Sequence, residues 1–368
     1  RKMISIPRGN RYATVVNIAR RNTGCDCVLT ADSLPQGVSM SHGPAPRGIN
    51  SFLVFFEAGP DAPIAGGLHH FTIRDAKPNS TLKGDLKEVI HHIEINNTGT
   101  FQSTRDDRVT VAVIDEAPFH VDLRTPPVPI VRNGTARLHV SLRRKEGFDA
   151  PVNVVLPWKP AGLGSPTSIT IPKGKNEAFY DINANAEAAL GQHKICVTAE
   201  ATTKQGPVMI ASAPVILSIS EPFLTVSMEM ASTIPGENTS LICKINHNQA
   251  FEGDAQIILH GLPHGVKAKP NKVNQSAKQV VFELEVAADA PKGNHNTLFC
   301  QVLPKRSGHV IAHNSGQGGT LRINPPPPAP KVVKKTSKTA DKKVAAQAKK
   351  TTPKKPLSRL EELRQRKR

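Results

Sequence analysis

The sequence predicts an all-β chain built from tandem sandwiches. Three observations predict it: a turn-rich, aromatic-poor composition, an apolar period of two residues, and a long-range internal repeat. Of 368 residues, 38% are hydrophobic and 4% aromatic, against 26 glycines and 31 prolines, a balance that disfavours helical bundles and coiled coils. The length supplies several cores. No run approaches the ~18 apolar residues of a membrane-spanning helix, and Arg1-Lys2-Met3-Ile4-Ser5 lacks the apolar centre of a signal peptide.

The repeat sets the organisation. Pro7, Leu34-Pro35-Gln36-Gly37-Val38 and Asp61-Ala62-Pro63 follow one another at steps of 27 residues, and Pro235, Leu262-Pro263-His264-Gly265-Val266 and Asp289-Ala290-Pro291 keep the same steps. The first and last thirds are one unit written twice. The middle third joins through Phe148-Asp149-Ala150-Pro151, which matches Phe251-Glu252-Gly253-Asp254, and through Gly191-Gln192-His193, which matches Gly293-Asn294-His295. Its turn at Pro160-Ala161-Gly162 is degenerate. The result is three units of roughly 100 residues, the size of an immunoglobulin-like sandwich, expected at 1–118, 119–221 and 222–324. A single large barrel or propeller competes, but three cycles are too few for most propellers.

Strand faces follow in order along the chain. Val109, Val111 and Val113 form one face in the first unit; Ala136, Leu138, Val140 and Leu142 alternate with Thr135, Arg137, His139 and Ser141 in the second. Val280, Phe282, Leu284 and Val286 do the same in the third. Such alternation puts one side in a core and the other in water. Pro-Lys-Gly turns at 172–174 and 291–293 punctuate the runs.

Cys243 alternates with Leu241 and Ile245, and Cys300 with Leu298 and Val302, so both point into the third core. Their separation of 57 residues is that of a bridge between the two sheets of a sandwich; two buried free thiols acting as small hydrophobes are the alternative. Val140 and Val197, and about Val15 and Ile73, are the equivalent apolar pairs of the other units. Cys196 falls on the outward phase of its strand. Cys25 and Cys27 read as two residues of one strand, a geometry poorly suited to a bridge, and without a second Cys or His cluster they make no convincing soft-metal site.

The net charge of +18 is concentrated at the C-terminus. Residues 325–368 hold 15 Lys and Arg against Asp341, Glu361 and Glu362, a net of +12, which leaves +6 on residues 1–324. This tail opens on Pro325-Pro326-Pro327-Pro328 and continues in Lys, Ala, Thr and Pro, too apolar-poor to order itself. It is expected to be disordered, with a short transient helix around Leu360 and Leu363. Lys334, Lys335, Lys342, Lys343, Lys349, Lys350, Lys354, Lys355, Arg364, Arg366, Lys367 and Arg368 are its candidate polyanion-binding residues; spaced cations on a flexible chain release counterions without reading bases or sugars.

Catalytic patterns are missing from the sequence: it has no Gly-x-Ser-x-Gly elbow, Walker loop, His-Glu-x-x-His or dinucleotide fingerprint. His69-His70 and His91-His92 would meet only if their strands paired, and two imidazoles without a carboxylate make a weak metal site. Asp106-Asp107 lack the oxygen-rich spacing of a calcium loop. Trp158, Tyr12 and Tyr180 are too few for a sugar platform or a base-stacking groove. No enzyme, cofactor or metal is expected.

Several phrases carry a resemblance: Arg105-Asp106-Asp107-Arg108-Val109-Thr110-Val111-Ala112-Val113, Glu116-Ala117-Pro118-Phe119, Arg143-Arg144-Lys145-Glu146-Gly147-Phe148-Asp149-Ala150-Pro151, Ile171-Pro172-Lys173-Gly174-Lys175-Asn176-Glu177-Ala178 and Thr297-Leu298-Phe299-Cys300-Gln301-Val302. With the closing Pro356-Leu357-Ser358-Arg359-Leu360-Glu361, they resemble the C-terminal Ig-like repeat region of large secreted proteins of planctomycete-type bacteria. Those proteins carry a signal peptide and pre-peptidase-type β-domains upstream. The resemblance implies an extracytoplasmic chain continued from upstream domains, and it carries no catalytic motif.

The expected function is a non-catalytic spacer or adhesion module of a larger cell-envelope protein, its tail engaging an anionic cell-surface polymer. Two other readings stand beside it: an accessory β-region of a secreted hydrolase, and a nucleic-acid-binding protein with a histone-like tail. The body offers no basic groove with interleaved aromatics, so no specific nucleic-acid recognition is expected.

Overall fold

Alternating sequences become paired strands throughout. The computed structural model describes residues 3–20, 23–43, 45–95 and 99–327, and every helix or strand element among them is a strand. Residues up to Pro326 form one compact unit.

The first third contains β1 (Met3–Pro7), β2 (Arg11–Asn17), β3 (Cys27–Ala31), β4 (Val38–His42), β5 (Ser51–Ala58), β6 (Gly66–Asp75), β7 (Lys83–Asp85), β8 (Glu88–Ile95), β9 (Gly99–Asp106) and β10 (Arg108–Ile114). One sheet has the order β1-β10-β6-β3, with β7 beside β6; the other is β2-β5-β4. Ile6, Phe56, Phe71, Val111 and Val113 fill the space between them. β8 and β9 pair only with each other.

The middle third contains β11 (Phe119–Leu123), β12 (Ile130–Val131), β13 (Thr135–Arg144), β14 (Val152–Val155), β15 (Leu163–Gly164), β16 (Ile169–Ile171), β17 (Glu177–Ala184), β18 (Gly191–Ile195), β19 (Thr198–Thr203), β20 (Gly206–Ala211) and β21 (Val215–Ser220). The sheet β11-β13-β17-β15 packs through Leu138, Val140, Tyr180 and Ile182 against β12-β21-β18 and β16-β14-β19-β20.

The last third contains β22 (Leu224–Met228), β23 (Ala231–Thr233), β24 (Thr239–His247), β25 (Glu252–His260), β26 (Val266–Ala268), β27 (Asn271–Val273), β28 (Gln279–Val286), β29 (Gly293–Arg306), β30 (His309–Val310) and β31 (His313–Ile323). Its sheets are β22-β24-β28-β26 and β23-β31-β29-β25-β27, with β30 on β29. This is the strand order of the middle third. There the counterpart of β29 is interrupted at Cys196-Val197 into β18 and β19, and that of β31 into β20 and β21. In all three thirds an early strand lies parallel to the closing one: β1 with β10, β12 with β21 and β23 with β31. Each third is thus an Ig-like β-sandwich.

The repeated anchors have a shared backbone. The turns Pro35–Val38, Pro160–Leu163 and Pro263–Val266 close with N···O distances of 3.0, 3.2 and 3.1 Å. Their glycines, Gly37, Gly162 and Gly265, sit at φ 77°, 79° and 76°, the left-handed region that glycine enters at no steric cost. The middle turn, degenerate in sequence, is the same turn in space. Each rests on a buried alanine, Ala62, Ala188 or Ala290. His193 and His295, the other shared pair, bond through Nε2 to the carbonyls of Ala189 and Pro291, both at 2.8 Å.

Candidate functional site

The structural feature that carries functional meaning is the way neighbouring sandwiches are joined. The run Phe52-Leu53-Val54-Phe55-Phe56 does not alternate, and the reason is that β5 is buried on both faces. Phe52, Val54 and Phe56 point into their own core, while Leu53 and Phe55 pack with Ala13, Cys196 and Ala211, a cluster shared by the first and second sandwiches. Val15 and Trp158 flank it. A strand apolar on both faces reads as a continuous run, which is the signal that alternation-based reading passed over. Ile195, Cys196 and Val197 form a second such run, each fully buried.

One expectation holds with a different environment, and one is corrected. Cys196 does lie on the outward phase of its own sandwich, yet it is fully buried, because that outward face is covered by the first sandwich. Burial pushes its thiol up to about 12. Val15, expected as an inward plug paired with Ile73, instead packs into the junction; Val16 packs against the core beside it.

The second junction is built from backbone. Asn133, at φ 57°, accepts a hydrogen bond from Asn314 N at 2.8 Å, and Thr135 N donates to Ala312 O at 3.2 Å. Between them Gly134 bridges His313 in antiparallel fashion. A Cβ at Gly134 would stand 2.7 Å from Val131 O and 2.9 Å from Ala312 O, so the approach excludes any side chain. Val131, on β12 of the middle sandwich, is a member of the third core. His313 is itself buried, its Nε2 bonded to Leu224 O at 3.1 Å, and burial lowers its pKa.

Beside this junction opens a cleft of about 870 Å³, lined among others by Ser165, Pro166, Arg137, Asp181, Asn183 and Val310. The Arg137 Nε–Asp181 Oδ1 pair measures 2.9 Å, and the guanidinium stands 5.3 Å over the exposed Phe179 ring. With Arg137 and Asp181 mutually paired, the cleft presents mainly hydrogen-bonding edges.

Cys243 on β24 and Cys300 on β29 come from opposite sheets of the third sandwich and both are fully buried. Both thiols are free. The neighbouring Cys243 thiol first, and burial second, hold the Cys300 thiol above its ordinary range. Cys25 is not on a strand: β3 begins at Cys27, and the two sulfurs lie 3.5 Å apart. The histidine doublets do not meet, since β6 pairs β10, β3 and β7 whereas β8 pairs β9. His70 Nδ1 instead lies 3.8 Å from Asp107 Oδ2, and Asp106 Oδ1 accepts a hydrogen bond from Arg108 N. Among the described residues no three His, Cys, Asp or Glu side chains gather where they could hold a metal ion. Nor is any helix of the described residues long and apolar enough to cross a membrane. The tail cations Lys334, Lys335, Lys342, Lys343, Lys349, Lys350, Lys354, Lys355, Arg364, Arg366, Lys367 and Arg368 lie outside the described residues.

No protein-family model and no curated protein matches the chain. Among solved structures it is similar to a Porphyromonas gingivalis protein of unknown function, at 9% identity and TM-score 0.23 over 56% of this chain and 100% of the other. It is also similar to fibronectin(III)-like modules of Clostridium thermocellum CbhA, at 10% and 0.21 over 56% and 95%. The FN1–FN3 domains of chicken CNTN1 align at 12% and 0.22 over 88% and 100%. At such scores the assignment of fold rests on the sheets of this chain itself.

Proposed function

We propose that the chain is a non-catalytic spacer and interaction module, extracytoplasmic, continued from upstream domains of a larger cell-envelope protein. The observation that carries this reading is the two-sided burial of β5: Leu53 and Phe55 are spent on a neighbouring sandwich, an expense of apolar surface that makes sense where the units must hold a set geometry. The backbone bridge at Gly134 serves the same end at the second junction. The resemblance to secreted repeat regions supports the location and the upstream partners. The units 1–118, 119–221 and 222–324 are proposed as the folding modules, a Cys243–Cys300 bridge as the staple of the third, and the basic tail as the contact to an anionic surface polymer. Spin-label distances between the first and second sandwiches test the central claim. A narrow distribution that broadens in Phe55→Asp is expected; an equally broad one in the unmodified chain overturns it.

A further inference from the structure

Arg20 makes an unusual set of bonds. Its Nη1 reaches Cys25 O at 2.5 Å and Cys27 Sγ at 3.3 Å; its Nη2 reaches the carbonyls of Ala45, Pro46 and Ile49 at 3.2, 3.1 and 3.1 Å. One guanidinium thus ties the approach to β3 to the 45–49 loop and touches a sulfur at the same time. That sulfur is already in contact with a second one, Cys25 Sγ, at 3.5 Å. Because Cys25 stands outside the strand, the extended-strand geometry that opposes a bridge between residues two apart does not apply to it.

Accessibility separates this pair from the other thiols. Cys25 is partly exposed, and a cavity of about 250 Å³ is lined by both cysteines together with Thr23, Ile73 and Leu82. Cys196, Cys243 and Cys300 are fully buried. Burial raises the Cys27 pKa, with the Cys25 hydrogen bond acting in the same direction, and the Arg20 charge opposes both. A thiolate formed at Cys27 therefore has a fixed cation beside it.

We propose that Cys25 and Cys27 are a redox-responsive dithiol that closes to an intrachain disulfide on reaction with a low-molecular-weight disulfide, and that Arg20 is the positioning residue that transmits closure to the 45–49 loop. In the first step the Cys25 thiolate attacks one sulfur of the small disulfide, forming a mixed disulfide and expelling one small thiolate. In the second, the Cys27 thiolate attacks the Cys25 sulfur and expels the other. Two protein thiols are oxidised, two small thiols are formed, and the two protein protons end on them. Closure shortens the sulfur separation to about 2.0 Å and draws Cys27 Sγ away from the guanidinium. A ring this small is strained, which places it among labile, reversible disulfides and not among structural ones. This site is independent of the spacer reading and stands or falls without it.

The test is a series of glutathione redox buffers applied to the full chain, quenched with acid and mapped by mass. The expected result is a reversible internal disulfide in the segment holding Cys25 and Cys27. Cys27→Ser should then trap glutathione on Cys25, and Cys25→Ser should leave Cys27 largely unmodified. Hydrogen exchange reads the transmission: oxidation should speed exchange several-fold at the amides of Cys27 and Ile49. Arg20→Met should speed it already in the reduced protein, oxidation then adding little, with Arg20→Lys intermediate. A stable mixed disulfide on Cys25 in the unmodified chain overturns the closure step, as does a bridge between two chains. Unchanged exchange on oxidation overturns the role of Arg20.

Discussion

Gly162 and Ala188 approach so closely that a Cβ built on Gly162 would stand 2.5 Å from Ala188 Cα. The first and third sandwiches repeat the relationship in looser form, with Gly37 over Ala62 and Gly265 near Ala290. The turn and the segment that follows the next long strand are thereby clamped together in each unit.

Gly162→Ala should therefore cost stability twice: roughly 1–2 kcal/mol for a side chain at left-handed φ, and about 1–3 kcal/mol more for overpacking against backbone. Gly174→Ala isolates the first part, since Gly174 has φ 68° and nothing within 4 Å of its added Cβ. Urea unfolding of the two variants should rank Gly162→Ala clearly the worse. Equal losses would mean the contact with Ala188 contributes nothing.

Acid should weaken the third sandwich through His313. Its folded pKa is lowered by burial, so the unfolded chain takes up the proton first as pH falls below about 6.5. Stability is complete above that value and declines as pH drops toward the lower folded pKa. In His313→Gln this part of the slope below about pH 6.5 should flatten, as followed by thermal melts at closely spaced pH; an unchanged slope would assign acid sensitivity elsewhere.

Oxidation should join Cys243 to Cys300, which are buried on opposite sheets of the third sandwich. Closing this loop stabilises by about 4 kcal/mol at most on the chain-entropy account. Mapping of non-reduced peptides from protein passed through an oxidising compartment checks the bond. Both residues recovered as free thiols would defeat it.

Binding to anionic polymer should reside in residues 331–368. Truncation after residue 327 is expected to abolish binding to DNA and anionic polysaccharide alike, and raised salt should weaken it steeply in the full chain. Selective binding of one polymer at high salt, or binding that survives truncation, would move the site into the folded body.

Much of this architecture is legible in the sequence because a half-buried strand writes its burial in alternate letters. Val109, Val111 and Val113 are buried, as are Phe282 and Leu284, at the positions that alternation marks. What alternation cannot express is a strand whose second face meets another sandwich. Leu53, Phe55 and Cys196 occupy positions that period-two logic assigns to water, and only the long-range junction reverses that assignment. Cys25 leaves the strand for a local reason. Its carbonyl is taken by Arg20 and not by a ladder partner, a bond across five residues that no periodicity reveals.

The parallel pairing of an early strand with the closing strand has a mechanical consequence. Tension applied along the chain reaches this parallel pair directly in the first sandwich, and past β11 and β22 in the other two, and pulls its strands in opposite directions along their length, so their hydrogen bonds are loaded together in shear and cannot be unzipped one at a time. The clamp is of unequal length: it runs from Met3 to Pro7 in the first sandwich, spans Ala231 to Thr233 in the third, and is only Ile130-Val131 in the second. Under load the middle sandwich, with the shortest clamp, is therefore expected to yield before the first.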